Sequence, residues 1–91
     1  MLIFRTTNQF KKDFRKAQKR GKDVERLQGL MRALANEATL PARYRDHALA
    51  GNYEGHRECH IEPDWILIYK IDRNAEEIIF IRTGRHADLF G

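Results

Sequence analysis

The groups in this chain that move protons or grip phosphate gather in its second half: His47, His60, Asp64, Arg82, Arg85 and His86. An imidazole with an unperturbed pKa near 6.5 takes or gives a proton near neutral pH. A guanidinium holds a phosphate through two parallel hydrogen bonds and stabilises charge developing on it. A carboxylate orients an imidazole or accepts a proton itself. Together they suit cleavage of RNA by its own 2′-hydroxyl: one group deprotonates that oxygen and another protonates the departing 5′ oxygen. The nucleophile then lies inside the substrate, so the chemistry calls for no cofactor and no metal. Trp65 and Phe90, which flank the set, are candidates for stacking a base.

Each of these residues also has a structural reading. His60 suits a hydrogen-bonded strand position, Asp64 a turn after Pro63, Trp65 the start of a core strand and Arg82 a solvated strand end. Zinc is the competing chemical reading of the histidines with Asp64, but positions 47, 60, 64 and 86 fit no helical or finger spacing. Serine chemistry is excluded because the chain has no Ser, and no Gly-rich phosphate loop is present. The single Cys59 forms no internal disulfide, which suits a reducing compartment.

For the set to act together, the surrounding elements must bring it to one place. Leu2–Arg5 reads as a short first strand and Thr7 as an N-cap. Phe10, Phe14 and Ala17 then recur at helical spacing, and Gly21 is the stop. Asp23 caps a second helix in which Val24, Leu27, Leu30, Met31, Leu34 and Ala38 keep the 3.6 period, and Leu40-Pro41 ends it. Residues 41–52 read as loop. Three strands follow, Gly55–Ile61, Trp65–Ile71 and Glu77–Thr83; the middle one is apolar enough to be buried on both faces. Residues 84–91 are too few for an element of their own, and none is predicted there. The expectation is a single α+β domain over residues 1–91, in the order β-α-α-β-β-β. Its antiparallel sheet carries both N-terminal helices on one face and the first strand at a side. In such a meander the end of the first strand, the next turn and the end of the last strand share one edge. Topology therefore predicts that His60, Asp64, Arg82 and His86 converge.

With 91 residues, 42% apolar and 33% charged, the chain has the balance of one small globular domain. No apolar run approaches the ~18 residues of a membrane-spanning helix, and the first residues lack the pattern of a secretory signal, so a cytoplasmic location is expected with no membrane partner. Charge is uneven. Residues 1–45 hold 12 Lys and Arg against 4 Asp and Glu, whereas residues 46–91 hold 5 against 9. The excess centres on Lys11, Lys12, Arg15, Lys16, Lys19, Arg20 and Lys22, which reads either as a solvated helix face or as a surface for nucleic acid or an acidic chain.

Three runs carry a resemblance: Asp46-His47-Ala48-Leu49-Ala50-Gly51, the segment EPDWILIYK over residues 62–70, and RTGRHADLFG over residues 82–91. With Ala17-Gln18-Lys19-Arg20 and the Leu-rich second helix, they make the chain similar to the YafQ branch of the RelE family of bacterial toxins over nearly its whole length. The resemblance implies a RelE-like fold and a type II toxin–antitoxin mRNA interferase. Such a toxin cuts the codon in the ribosomal A site without metal, is held by a cognate antitoxin, and forms with it a complex that binds operator DNA. At the matching positions it implies catalytic or substrate-contacting roles for His47, His60, Asp64, Arg82, His86 and Phe90, with Trp65 adjacent. This set departs from the wider RelE family, which relies on Lys, Arg and Tyr. The expected division gives the phosphate to Arg82, the base to His60 or Asp64, and the acid to His86, while Lys11 to Lys22 dock on ribosomal RNA. Two other readings stand beside it: a non-catalytic basic module that binds an antitoxin-like chain or nucleic acid, and a metal-dependent hydrolase.

Overall fold

Thr7 follows the first strand and opens the first helix. Its backbone is extended, its hydroxyl accepts from the Phe10 N–H at 2.9 Å, and the same hydroxyl donates to the Ile81 carbonyl at 2.7 Å. The computed structural model describes all residues, Met1–Gly91. Strand β1 (Ile3–Thr6) leads into α1 (Asn8–Lys19) and α2 (Val24–Ala35). A short strand β2 (His47–Ala48) follows, flanked by single 3-10 turns at Ala42–Tyr44 and Gly51–Tyr53. Then come β3 (Arg57–Glu62), β4 (Trp65–Asp72), β5 (Glu77–Gly84) and a final helix α3 (His86–Phe90).

Both long helices close through the same device. At the end of α1, Gly21 takes a left-handed backbone (φ +77°) while the N–H groups of Gly21 and Lys22 return to Gln18 and Ala17. At the end of α2 the left-handed position is Glu37 (φ +59°), and the N–H groups of Glu37 and Ala38 return to Leu34 and Ala33. Helix α2 therefore stops at Ala35, short of the expected Leu40-Pro41 boundary. A charged residue is an unusual occupant of that position; here its carboxylate is engaged by Arg73 from the turn between β4 and β5.

The sheet runs β1-β5-β4-β3-β2. Strands β2 to β5 are antiparallel to their neighbours, but β1 lies parallel to β5 at the edge, so the sheet is mixed and not wholly antiparallel as expected. The two helices are the crossover that turns the chain back before the meander begins, and β1 takes the edge of β5 that β4 leaves free. On the face beneath α1 and α2, Phe10, Leu27, Met31 and Leu34 pack with Cys59, Ile61, Trp65, Leu67, Tyr69, Ile78 and Phe80. On the opposite face Ile66, Ile68 and Leu89 form a smaller cluster joined by Leu49, Tyr53 and Ile81. Strand β4 is thus buried on both sides, as its composition predicts. The tail that was expected to be structureless folds as α3, because Leu89 has that second apolar face to cover. No helix of the fold is long and apolar enough to cross a membrane.

Candidate active site

Two irregularities in the sheet aim the polar groups. Between β4 and β5 the register slips: Tyr69 faces Phe80, whereas Ile68 faces Arg82, leaving Ile81 as an extra residue. Strict alternation from Phe80 would send Arg82 into the main core. The bulge instead gives that side to Thr83, which is 2% exposed and whose hydroxyl accepts from the Trp65 indole at 3.0 Å, and it pairs Arg82 with Ile68 of the opposite face. A second slip at Ile61 sets Glu62 against Trp65 while His60 faces Ile66.

A row of side chains accordingly crosses four strands: His47 opposite Glu58, Glu58 opposite Ile68, and Ile68 opposite Arg82. Directly opposed residues lie about 5 Å apart. The next row sets His60 against Ile66 and Ile66 against Gly84, two residues before His86. The expected meeting of His60, Asp64, Arg82 and His86 at one end of the sheet matches this placement, and His47 joins them from β2. Asp64 and His86 are linked directly, the carboxylate accepting from the His86 backbone N–H at 2.8 Å.

Arg82 is held from below. Its Nε donates to Asp13 Oδ2 at 2.9 Å and its terminal nitrogen to Oδ1 at 3.2 Å, while Gln9 and the Thr83 N–H also donate to this buried carboxylate. The hydrogen bond to Asp13 raises the guanidinium above its usual value, so Arg82 is permanently charged. The His86 ring sits 5.0 Å from Phe90, and Phe90 sits 5.6 Å edge-on from Tyr53. Phe90 is 38% exposed and keeps a face open for stacking. Trp65 does not: it is 2% exposed, and the Lys22 amine lies 5.8 Å over its ring, so the structure makes it a core residue and not the stacking platform expected of it.

Arg85 turns toward Asp88, which accepts from its backbone, its Nε and its terminal nitrogen, and from Arg20 of α1 at 3.1 Å. Above all the Arg85 contact holds the Asp88 carboxyl well below the usual carboxylate range. These groups line a cleft of about 210 Å³ between α1 and β5, with Lys12, Lys16, Lys22 and Arg82 on its walls. Lys11, Lys12, Arg15, Lys16, Lys19 and Arg20 are exposed on α1 and its C-terminal turn, Lys22 is half-buried against Glu62, and the patch runs up to Arg82. Cys59 is fully buried in the core beneath α1 and α2, which pushes its thiol up to about 12.

A family model described as the bacterial toxin of the type II toxin–antitoxin system, YafQ, matches residues 2–91. The chain belongs to the YafQ family. It is 50% identical over 86 residues to the mRNA interferase toxin YafQ of Escherichia coli K12, covering 93% of this chain and 91% of that one. Among solved structures it superposes on the Escherichia coli DinJ-YafQ complex with a TM-score of 0.91 at 47% identity over the full length of both chains. It superposes on a metal-bound toxin from Helicobacter pylori with a TM-score of 0.93 at 37% identity, over 99% of this chain and all of that one. The YafQ resemblance read from residues 62–70 and 82–91 is therefore the correct family. Within this YafQ fold, sequence reasoning missed Asp13, Glu58 and Tyr53. Asp13 carried one signal, being the only acid among the cations of α1; Glu58 and Tyr53 carried none.

Proposed function

We propose that the chain is the toxin of a type II toxin–antitoxin pair and an mRNA interferase that cuts the codon in the ribosomal A site without a metal. The observation that carries this reading is the charged Arg82 on the same sheet face as His47 and His60, at the end where Asp64 and His86 also lie. Asp13 occupies two of the five guanidinium N–H groups, so three remain for a phosphate. His60 takes the 2′-hydroxyl proton, the 2′ oxygen attacks the adjacent phosphorus, and His86 supplies a proton to the departing 5′ oxygen. The products are a 2′,3′-cyclic phosphate and a 5′-hydroxyl. Asp64 holds His86 in place through its backbone, and Phe90 stacks a base of the substrate. The cations of α1 dock on ribosomal RNA, and an antitoxin with an acidic segment covers part of that surface. In this reading the protein works in the cytoplasm, where translating ribosomes are.

Mapping cut sites on translated and untranslated copies of one mRNA with the purified chain tests the reading. Cuts in frame, on translated copies alone and undiminished by EDTA, are expected. Equal cutting of both copies removes the ribosome from the mechanism, and loss with EDTA removes the metal-free step. His86→Ala should lose cutting and toxicity together; a variant that stays toxic without cutting would favour a binding module that blocks rather than cleaves.

A further inference from the structure

Glu58 belongs to none of the roles above, yet it sits between two of the histidines. It is 8% exposed, and its Oε2 is buried with no hydrogen-bond partner. His47 Nε2 stands 3.3 Å from Oε1 and His60 Nε2 stands 3.4 Å from Oε2. The other nitrogen of each ring is committed: His47 Nδ1 faces the Arg45 carbonyl at 2.6 Å and His60 Nδ1 the Pro63 carbonyl at 3.1 Å. A carbonyl only accepts, so each Nδ1 must carry its hydrogen. In their neutral forms both rings would then turn an unprotonated Nε2, an acceptor, toward a carboxylate that is also an acceptor. A proton arriving on either Nε2 converts a clash of lone pairs into an attraction between opposite charges 3.3–3.4 Å apart.

The remaining charges nearby do not answer Glu58. Asp46 and Arg57 pair with each other, and that carboxylate also accepts from Tyr69. Cys59 points into the opposite face, strand β4 offers only Ile68, and Arg82 on β5 is tied to Asp13. We infer that Glu58 is a positioning residue that makes His60 Nε2 a ready proton acceptor, because the buried carboxylate between His47 and His60 meets an opposite charge only when one of these imidazoles is protonated. The inference deepens the proposed function, resting on His60 as the base.

Two-dimensional ¹H–¹⁵N spectra of the histidine rings, recorded over a pH series on the isolated chain with EDTA and without RNA, test it. In the wild type, His47 and His60 should keep the doubly protonated ring form to higher pH than in Glu58→Gln, while His56 and His86 titrate alike in both. Glu58→Asp should restore part of the difference. The same titration of His47 and His60 in wild type and Glu58→Gln overturns the inference; if Glu58→Gln fails to fold, a wild type whose His60 titrates together with His56, which no carboxylate faces, does so alone. With mRNA cleavage as a second readout, Glu58→Gln should lower kcat about tenfold with KM unchanged. An altered ring titration with unaltered kcat leaves Glu58 its role but removes His60 as the base.

Discussion

Asp13 holds the Arg82 guanidinium in one orientation, so the phosphate contact proposed for Arg82 would find its charge already in place. Two parallel hydrogen bonds fix the plane of the guanidinium, and the buried carboxylate is satisfied by Arg82, Gln9 and the Thr83 backbone together. Lys cannot reproduce that fork. Arg82→Lys should therefore reduce kcat by about 10²-fold, the scale of one transition-state hydrogen-bond donor, and lower the melting temperature because Asp13 loses a donor; an unchanged kcat in a steady-state assay would contradict the role given to Arg82. The histidines, Asp64 and Arg82 were legible from residue type alone, since few other side chains do this chemistry. Asp13 and Glu58 were not. In a single sequence an acid inside a polar run reads as surface charge, and only the bulge and the β2–β3 register reveal that both are buried.

At the scale of elements, α3 carries more than its five residues suggest. Leu89 packs on Ile66 and Ile68, Asp64 accepts from the His86 N–H, and Asp88 ties the helix to Arg20 of α1. Leu89→Ala should cost about 2 kcal/mol, the low end for a Leu truncation because the cluster is small, and should abolish cleavage by freeing His86 and Phe90; denaturant melts and cleavage assays check both. The carboxyl of Asp88 is held low chiefly by Arg85. Its contribution is then present above the ordinary carboxylate pKa of about 4 and is lost as pH falls below that value. Wild type should exceed Asp88→Asn in stability at pH 7, and the gap should narrow as pH falls below 4; a gap constant between pH 7 and pH 3 contradicts the linkage. The strands, their order along the chain and the two long helices were readable because period and β-branched runs are strong local signals. Helix α3, the parallel pairing of β1 and the left-handed stop at Glu37 were hidden, because each depends on a partner distant in the chain: the Ile66–Ile68 face, the free side of β5, and Arg73.

Over the whole molecule the cations of α1 and the polar row on the sheet are continuous through the cleft in which Lys16, Arg20 and Arg82 meet. A surface of that kind binds polyanions with a salt dependence set by the number of phosphates it neutralises. Replacing Lys11, Lys12, Arg15 and Lys19 with Gln should weaken ribosome binding and flatten its dependence on salt, each lost contact lowering the log–log slope by about one. These residues make no ion pair in the fold, so thermal melts should stay near wild type; a slope that does not change would assign docking to another face.

The pairing of residues 3–6 with residues 77–80 has a consequence for how such a protein is made. During synthesis β1 emerges long before the strand it needs, and Asp13 waits equally long for Arg82. A nascent chain cannot close its sheet or pair Asp13 with Arg82 until residues 77–84 have left the exit tunnel. Until that stretch is free, no folded copy of this domain stands beside the ribosome that makes it.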